Sequence, residues 1–351
     1  MAVDIDASTA SKETGSGKKA GGLSRGSAGG PITAVRAAQL AGGLALLALA
    51  IVLPNLINPY RMFLATLIVV FATAGVGLVV IMGWTGQIAL AHVAFMGIGA
   101  YGTNWLFSDL GIPWLVSLIL SAFAAAVVGV LIGFPAARLR GFYLAIATLA
   151  FAELIVRFFV EVDTITGGIA GKPIEIIQLF GLAPDRSHWY IALMMAAVVF
   201  IATDRLGRTA FGRCLRMVRD AEIATGSLGI SATQYKLLAF ALSAFIAALA
   251  GGLFGQLLTY VSPDTFHTAL LIQFLVVVFV GGITRLSGAI IGAIFVVVSR
   301  ELFQDVGDWQ RLVYGISLVL AVRFLPGGLT SLWSTLRSAR SLRGVTQEAG
   351  A

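Results

Sequence analysis

Arg205-Leu206-Gly207-Arg208-Thr209-Ala210-Phe211-Gly212-Arg213-Cys214-Leu215-Arg216-Met217-Val218-Arg219-Asp220-Ala221-Glu222 is the one long interior stretch of this chain that reads like soluble protein. It continues through Gly226-Ser227-Leu228-Gly229 to Lys236, and apolar runs flank it on both sides. That contrast decides the fold class. Of 351 residues, 58% are hydrophobic and only 12% charged, with a mean hydropathy of +0.93. A soluble domain carries about 25% charged residues. A helix needs roughly 20 mainly apolar residues to cross the hydrocarbon core, and several stretches qualify. The expected class is all-α, a polytopic membrane helix bundle of about ten transmembrane segments. They are placed at about 36–57, 62–82, 86–107, 114–135, 142–160, 188–204, 236–260, 266–284, 286–300 and 311–327. The third is rich in glycine, and the 266–300 region reads equally as one broken element.

Residues 1–35 are rich in Gly, Ser, Ala and Lys and poor in large apolar side chains, so they are read as a disordered cytoplasmic tail. Residues 36–330 form the transmembrane domain, with 205–235 as a cytoplasmic loop, and 331–351 form a second cytoplasmic tail. The first apolar run lies too far from the start to be a signal peptide. Charge tests this map. With the N-terminus inside, the outer segments hold Arg61, Arg157, Lys172, Arg186, Arg300 and Arg311, and the other 18 of the 24 Lys and Arg fall inside. Acidic residues do the reverse, with Glu161, Asp163, Glu175, Asp185, Glu301, Asp305 and Asp308 outside. Both termini are therefore expected in the cytoplasm. The sequence pI of about 9.9 records this topology and does not mark a nucleic-acid binder.

The single cysteine, Cys214, excludes an intrachain disulfide, and the three histidines are too scattered for a metal site. Gly97-Ile98-Gly99-Ala100-Tyr101-Gly102 matches a dinucleotide fingerprint by letter, but no strand precedes it. It reads better as close helix packing, as do the pairs Gly129/Gly133, Gly251/Gly255 and Gly288/Gly292.

In the basic segment, Cys214, Met217/Val218, Ala221 and Ala224 recur at helical spacing from Arg213 to about Thr225. Arginines take the neighbouring stripe, and Gly226 and Gly229 end the helix. Ser231-Ala232-Thr233-Gln234 reads as a capping box that starts the next helix near Tyr235. One reading is an interfacial helix held to anionic lipid. The segment's length and mixed charge favour a surface that docks a partner protein. Gln87 and His92 are polar groups in an apolar setting, readable as pathway residues or as hydrogen-bonding glue between helices. Glu153 is the carboxylate placed well inside a span, with Arg157 one turn on. Either they form a structural pair, or Glu153 meets the ammonium of a zwitterionic ligand. Thr166-Gly167-Gly168 lies in the longest outer loop, a candidate contact for an extracellular partner.

The stretch Phe211–Ile230, with Tyr235-Lys236-Leu237-Leu238-Ala239-Phe240 after it, resembles the LivM-type permeases of branched-chain amino acid ABC importers. Gly86-Gln87-Ile88-Ala89-Leu90-Ala91-His92 with Gly97-Ile98-Gly99-Ala100-Tyr101, Arg138-Leu139-Arg140-Gly141, and Thr166-Gly167-Gly168 are similar to further motifs of that family. The resemblance covers about 60–340 and implies a bacterial inner-membrane permease without catalytic chemistry of its own. It implies a homologous second permease subunit, two ATP-binding subunits that hold ATP and magnesium, an extracytoplasmic substrate-binding protein, and surrounding lipid. The chain has no Walker motif. By the same resemblance Arg213, Arg216, Asp220, Glu222 and Gly229 would form the coupling element that sits in a groove of the ATPase. Gln87, His92 and Glu153 are then pathway candidates, and Thr166, Gly167 and Gly168 candidate contacts of the binding protein. An ABC permease for urea or a sugar is the first rival. The second is an ion-coupled carrier using Glu153 as its proton site, which leaves the long loop without a purpose.

Overall fold

The computed structural model describes residue 54, residues 56–139, 141–178 and 181–302, and residues 309, 312, 313, 315 and 316. Helix α1 (Pro59–Leu78) opens on a proline, tolerated in a first turn because that N–H has no partner there. It widens into a π-helical end, Val79–Trp84. After a non-helical stretch come α2 (His92–Asn104) and a π turn, Trp105–Asp109. Then follow α3 (Trp114–Ala136), α4 (Phe142–Glu161), the single turn α5 (Asp163–Thr166) and α6 (Pro184–Arg208). The basic segment forms α7 (Ala210–Asp220) and α8 (Glu222–Ser227). The last three helices are α9 (Ala232–Leu258), α10 (Thr268–Gly281), entered through the 3-10 turn Pro263–Phe266, and α11 (Leu286–Leu302). Beside these, β1 (Lys172–Pro173) pairs antiparallel with β2 (Tyr260–Val261), placing Lys172 opposite Val261.

Among the described residues, six helices are long and apolar enough to cross a membrane, not ten. Two of the expected spans, 36–57 and 311–327, lie outside the described residues but for a few positions. Two others fall outside that count. The 86–107 segment becomes helical only at His92 and gives a 13-residue α2, and the 286–300 segment gives the 17-residue α11. The 266–300 region is two helices, separated at Gly282, whose φ of 115° no branched side chain adopts readily.

α1 with its π end and α9 form the centre, with 78% and 72% of their apolar stretches buried against 28% for α4. Where α9 crosses α2, the contact is backbone on backbone: a Cβ at Gly99 would overlap Ala248, and one at Gly251 would overlap Met96. Gly129 and Gly133 lie against the side chains of Ala244 and Phe240 of α9, and Gly288 and Gly292 against the backbone of α10 and Gly282. Small residues let helices approach where lipid supplies no hydrophobic drive between them. Phe71, with ring centroids 4.8 Å from Phe274 and 6.0 Å from Phe254, fills the space between α1, α9 and α10. Because α9 starts next to α8 and ends next to β2, it defines a basic end and a ribbon end of the bundle.

Candidate functional site

At the basic end α6 runs on to Arg208, four residues beyond its expected limit, before Thr209 turns the chain. α7 folds back on that end: Gly212 lies against the Gly207 backbone, and Gly207 in turn lies under the Trp84 ring. The buried stripe of α7 is Gly212, Leu215 and Val218; of the Cys214, Met217/Val218, Ala221 and Ala224 stripe read from spacing, it shares Val218. Ala221 and Ala224 are exposed, and Ala221 (φ −152°, ψ 70°) breaks the expected single helix in two. Glycine carried no weight in an apolar count, so the true stripe was hidden. α9 starts at Ala232, three residues before the expected Tyr235, and the Ser231 side chain makes no cap hydrogen bond.

Three arginines of this segment are tied to backbone carbonyls. Arg213 Nη1 donates to Arg208 O at 3.0 Å, and Arg216 Nη2 to Gly207 O at 2.8 Å. Both supply donors to carbonyls at the end of α6, where a helix leaves its last acceptors unpaired. Arg219 reaches across to α1, donating from Nη1 to Gly83 O at 2.6 Å, and from Nε to Asp220 Oδ1 at 2.8 Å. Its stem runs over Gly86, where an added Cβ would stand 2.8 Å from Arg219 Cγ. Glu222 is likewise committed: its Oε1 pairs with Lys236 Nζ at 2.6 Å, and Lys236 is only 5% exposed. α7 and α8 are thus fastened to α1 through Arg219 and to α9 through Lys236. These are the two most enclosed spans.

The large side chains that α8 and its closing turn present outward are apolar. Ile223 is 84% exposed and Leu228 65%. Between and beside them, Gly226 and Gly229 have open space where a side chain would be. Gly229 sits at φ 74°, a left-handed turn. Amides of Leu228 and Ile230 donate to Thr225 O at 3.1 Å each, which closes the tip into a compact knob. Sequence reading took the charges for the docking features and missed these two side chains. Their separation by five residues across Gly226, with Gly229 directly after, was the available signal.

Behind the knob lies a cavity of about 280 Å³ lined by Gln87, Leu139, Val218, Arg219, Glu222 and Lys236, among others. Gln87 is 5% exposed; Thr85 Oγ1 donates to its Oε1 at 3.4 Å, while among the described residues its Nε2 has no partner. His92 does not share this cavity. Its Nε2 meets Ala74 O at 2.9 Å, its Nδ1 meets Ser243 Oγ at 3.5 Å, and its ring packs edge-on to Phe274. That arrangement ties α2 to α1, α9 and α10.

Glu153 is exposed on the outer face of α4, as is Arg157. Among the described residues no ion pair joins them; instead Thr268 Oγ1 donates to Glu153 Oε1 at 2.9 Å. The tie therefore runs to the first residue of α10 and not to the next turn of α4. An ion at the centre of a lipid-facing helix costs roughly 2.5–3.5 kcal/mol by insertion scales.

At the ribbon end, Thr166 is 1% exposed and its Oγ1 donates to Phe159 O at 2.5 Å and Val162 O at 2.6 Å. Gly168 is also buried, and Gly167 is partly so. These three shape the turn; the side chain they hold outward is Ile169, 82% exposed. The loop is anchored by Asn104 Nδ2 to Pro173 O (3.2 Å), Gln256 Nε2 to Glu175 O (2.8 Å) and a Lys172–Asp109 ion pair.

Comparison with known proteins gives a consistent picture. The family described as branched-chain amino acid transport system, permease component, matches residues 60–322. The chain is 34% identical over 312 residues to a high-affinity branched-chain amino acid transport system permease protein, LivM, of Salmonella typhimurium, covering 82% of this chain and 73% of that protein. The LivM protein of Escherichia coli strain K12 matches with the same identity and coverage. A probable LivM permease of Methanocaldococcus jannaschii is 25% identical over 236 residues, covering 61% of this chain and 67% of that one.

Proposed function

The chain belongs to the permease-component family of branched-chain amino acid transport systems; from that membership we propose that it forms one half of the membrane channel of an ATP-driven importer for branched-chain amino acids. It is a multi-pass membrane protein. The basic end faces the cytoplasm of a bacterial inner membrane, with both termini on that side, in keeping with the 18-to-6 division of Lys and Arg. ATP and its magnesium are held by two partner ATPase subunits, a homologous permease completes the channel, and a binding protein delivers the cargo.

The observation that carries this reading is the knob of α8. A membrane protein has no reason to hold Ile223 and Leu228 in water on a glycine-bordered turn unless a partner covers them. In the docked state these two enter an apolar groove of the ATPase, with Asp220 and Gly229 at its margin. Arg213, Arg216 and Glu222 act behind them, holding α7 and α8 in place. ATPase closure then moves α8, and the Arg219 and Lys236 ties pass the displacement to α1 and α9. Gln87, above the cavity behind the knob, and Glu153 are the pathway groups, whereas His92 is a strut. At the ribbon end Ile169, on the turn built by Thr166, Gly167 and Gly168, meets the binding protein.

The test is capture. Ile223→Asp with Leu228→Asp should abolish co-purification of the ATPase subunits, while insertion and pairing with the second permease persist. Undiminished capture would remove the knob from the interface.

A further inference from the structure

α4 presents to its surroundings a face unlike that of its neighbour α3. The exposed positions of α4 fall at 142, 143, 146, 150, 153, 154, 157, 158 and 161, one broad stripe of a helix. They include Glu153, Arg157 and Glu161. At about 1.5 Å per residue, Glu153 lies about 16 Å along a helix of about 30 Å, close to mid-membrane. On α3 the exposed side chains include Leu120, Phe123, Val127, Leu131 and Phe134, all apolar. Lipid can cover α3. It cannot cover an acid and a base near the centre of α4, so that face must look onto protein or water.

Glu153 also has apolar company. Leu90, Val93, Leu149 and Leu271 line a crease beside it, together with Thr268. The crease encloses only about 10 Å³, so a single subunit holds no complete site there. A carboxylate next to branched aliphatic walls matches a small amino acid with a protonated amine and an aliphatic side chain.

We propose that the α4 face of Ala150, Glu153 and Arg157 is the wall of the translocation pathway at the seam with the homologous second permease subunit, and that Glu153 there gives a passing zwitterionic amino acid a transient partner for its ammonium. The proposal rests on the reading of this chain as one of two permease halves. Thr268 holds one oxygen of Glu153 at 2.9 Å and so fixes the carboxylate toward the seam. The second subunit closes the crease.

The experiment uses the assembled complex in proteoliposomes. In a Cys214→Ser background, single cysteines replace Ala150 or Arg157 on α4, and Val127 or Leu131 on α3. Each is exposed to a cationic, membrane-impermeant thiol reagent. The α4 positions should react at least tenfold faster than the α3 positions. Equally slow reaction at all four would overturn the seam and place lipid, or another part of this chain, over α4. With cysteine otherwise native, Glu153→Gln should lower leucine uptake at least fivefold, mainly through KM, while ATPase capture and expression are retained; Glu153→Asp should restore most of it. Unchanged uptake in Glu153→Gln would overturn the ammonium role. A complex that labels as expected but accumulates no leucine with ATP would refute the importer reading and leave the placement of the face standing.

Discussion

Lys236→Met separates fastening from docking. In the folded chain Lys236 Nζ lies 2.6 Å from Glu222 Oε1, with 7% of the lysine side chain and 34% of the glutamate side chain exposed. Breaking a fully buried pair by removing one partner costs about 3–5 kcal/mol. Glu222 is a third open, onto the 280 Å³ cavity, so water recovers part of that loss. A cost on the order of 2 kcal/mol remains, enough to shift the attached-to-detached ratio of α8 about thirtyfold. Hydrogen exchange reads this directly. The amides of Leu228, Gly229 and Ile230, whose acceptors are all within the α8 turn, should lose protection about thirtyfold. Amides in the middle of α9, near Ala247 and Ala248, should not change. The ATPase should still be captured, because Ile223 and Leu228 are intact, but substrate uptake per ATP hydrolysed should fall several-fold. The double variant Lys236→Met with Glu222→Gln should recover much of the protection, since it removes both charges of the pair. If Lys236→Met exchanges and transports as the parent does, the link carries no force and the proposed route through α9 is wrong.

Two other substitutions test the scaffold and the knob. Gly251→Ala puts a methyl into the Met96 carbonyl region where α9 crosses α2; it should destabilise by about 1–3 kcal/mol, seen as a lower thermal midpoint in detergent, whereas Gly255→Ala, with its nearest neighbour at 3.5 Å, should be nearly neutral. A Cβ at Gly229 meets nothing within 4 Å, so beyond about 1–2 kcal/mol for its left-handed φ Gly229→Trp should fold, yet block ATPase capture, as a pull-down would show.

Much of the bundle was legible because its helices announce their ends. Pro59, Pro113 before Trp114, Gly141 before Phe142, and Pro184 each stand where a span begins, and Gly282 stands where 266–300 divides. Local rules failed where distant groups decide. The break at Ala221 interrupts a segment of good helical spacing, and what holds α8 afterwards is a lysine 14 residues away. Arginines that look like a charged docking stripe are turned to carbonyls of α6 and α1, a demand visible only once those helix ends are placed beside them. Thr166 stands beside glycines, but its hydroxyl closes the turn, and Ile169 is the large apolar side chain offered to solvent. Glu153 and Arg157 have the spacing of a helix pair, yet Thr268, 115 residues on in sequence, takes the carboxylate. A lone sequence cannot show which of two hydrogen-bond partners is nearer.

The central claim is that this bundle is driven through α7 and α8 by ATPase subunits and has no drive of its own. Leucine accumulation in proteoliposomes measures it most directly, comparing this chain with its second permease alone and the same pair with ATPase subunits, binding protein and ATP. Accumulation against a gradient should occur only in the full assembly and stop when ATP is withheld. Concentrative uptake by the permeases alone, without nucleotide, would contradict the account.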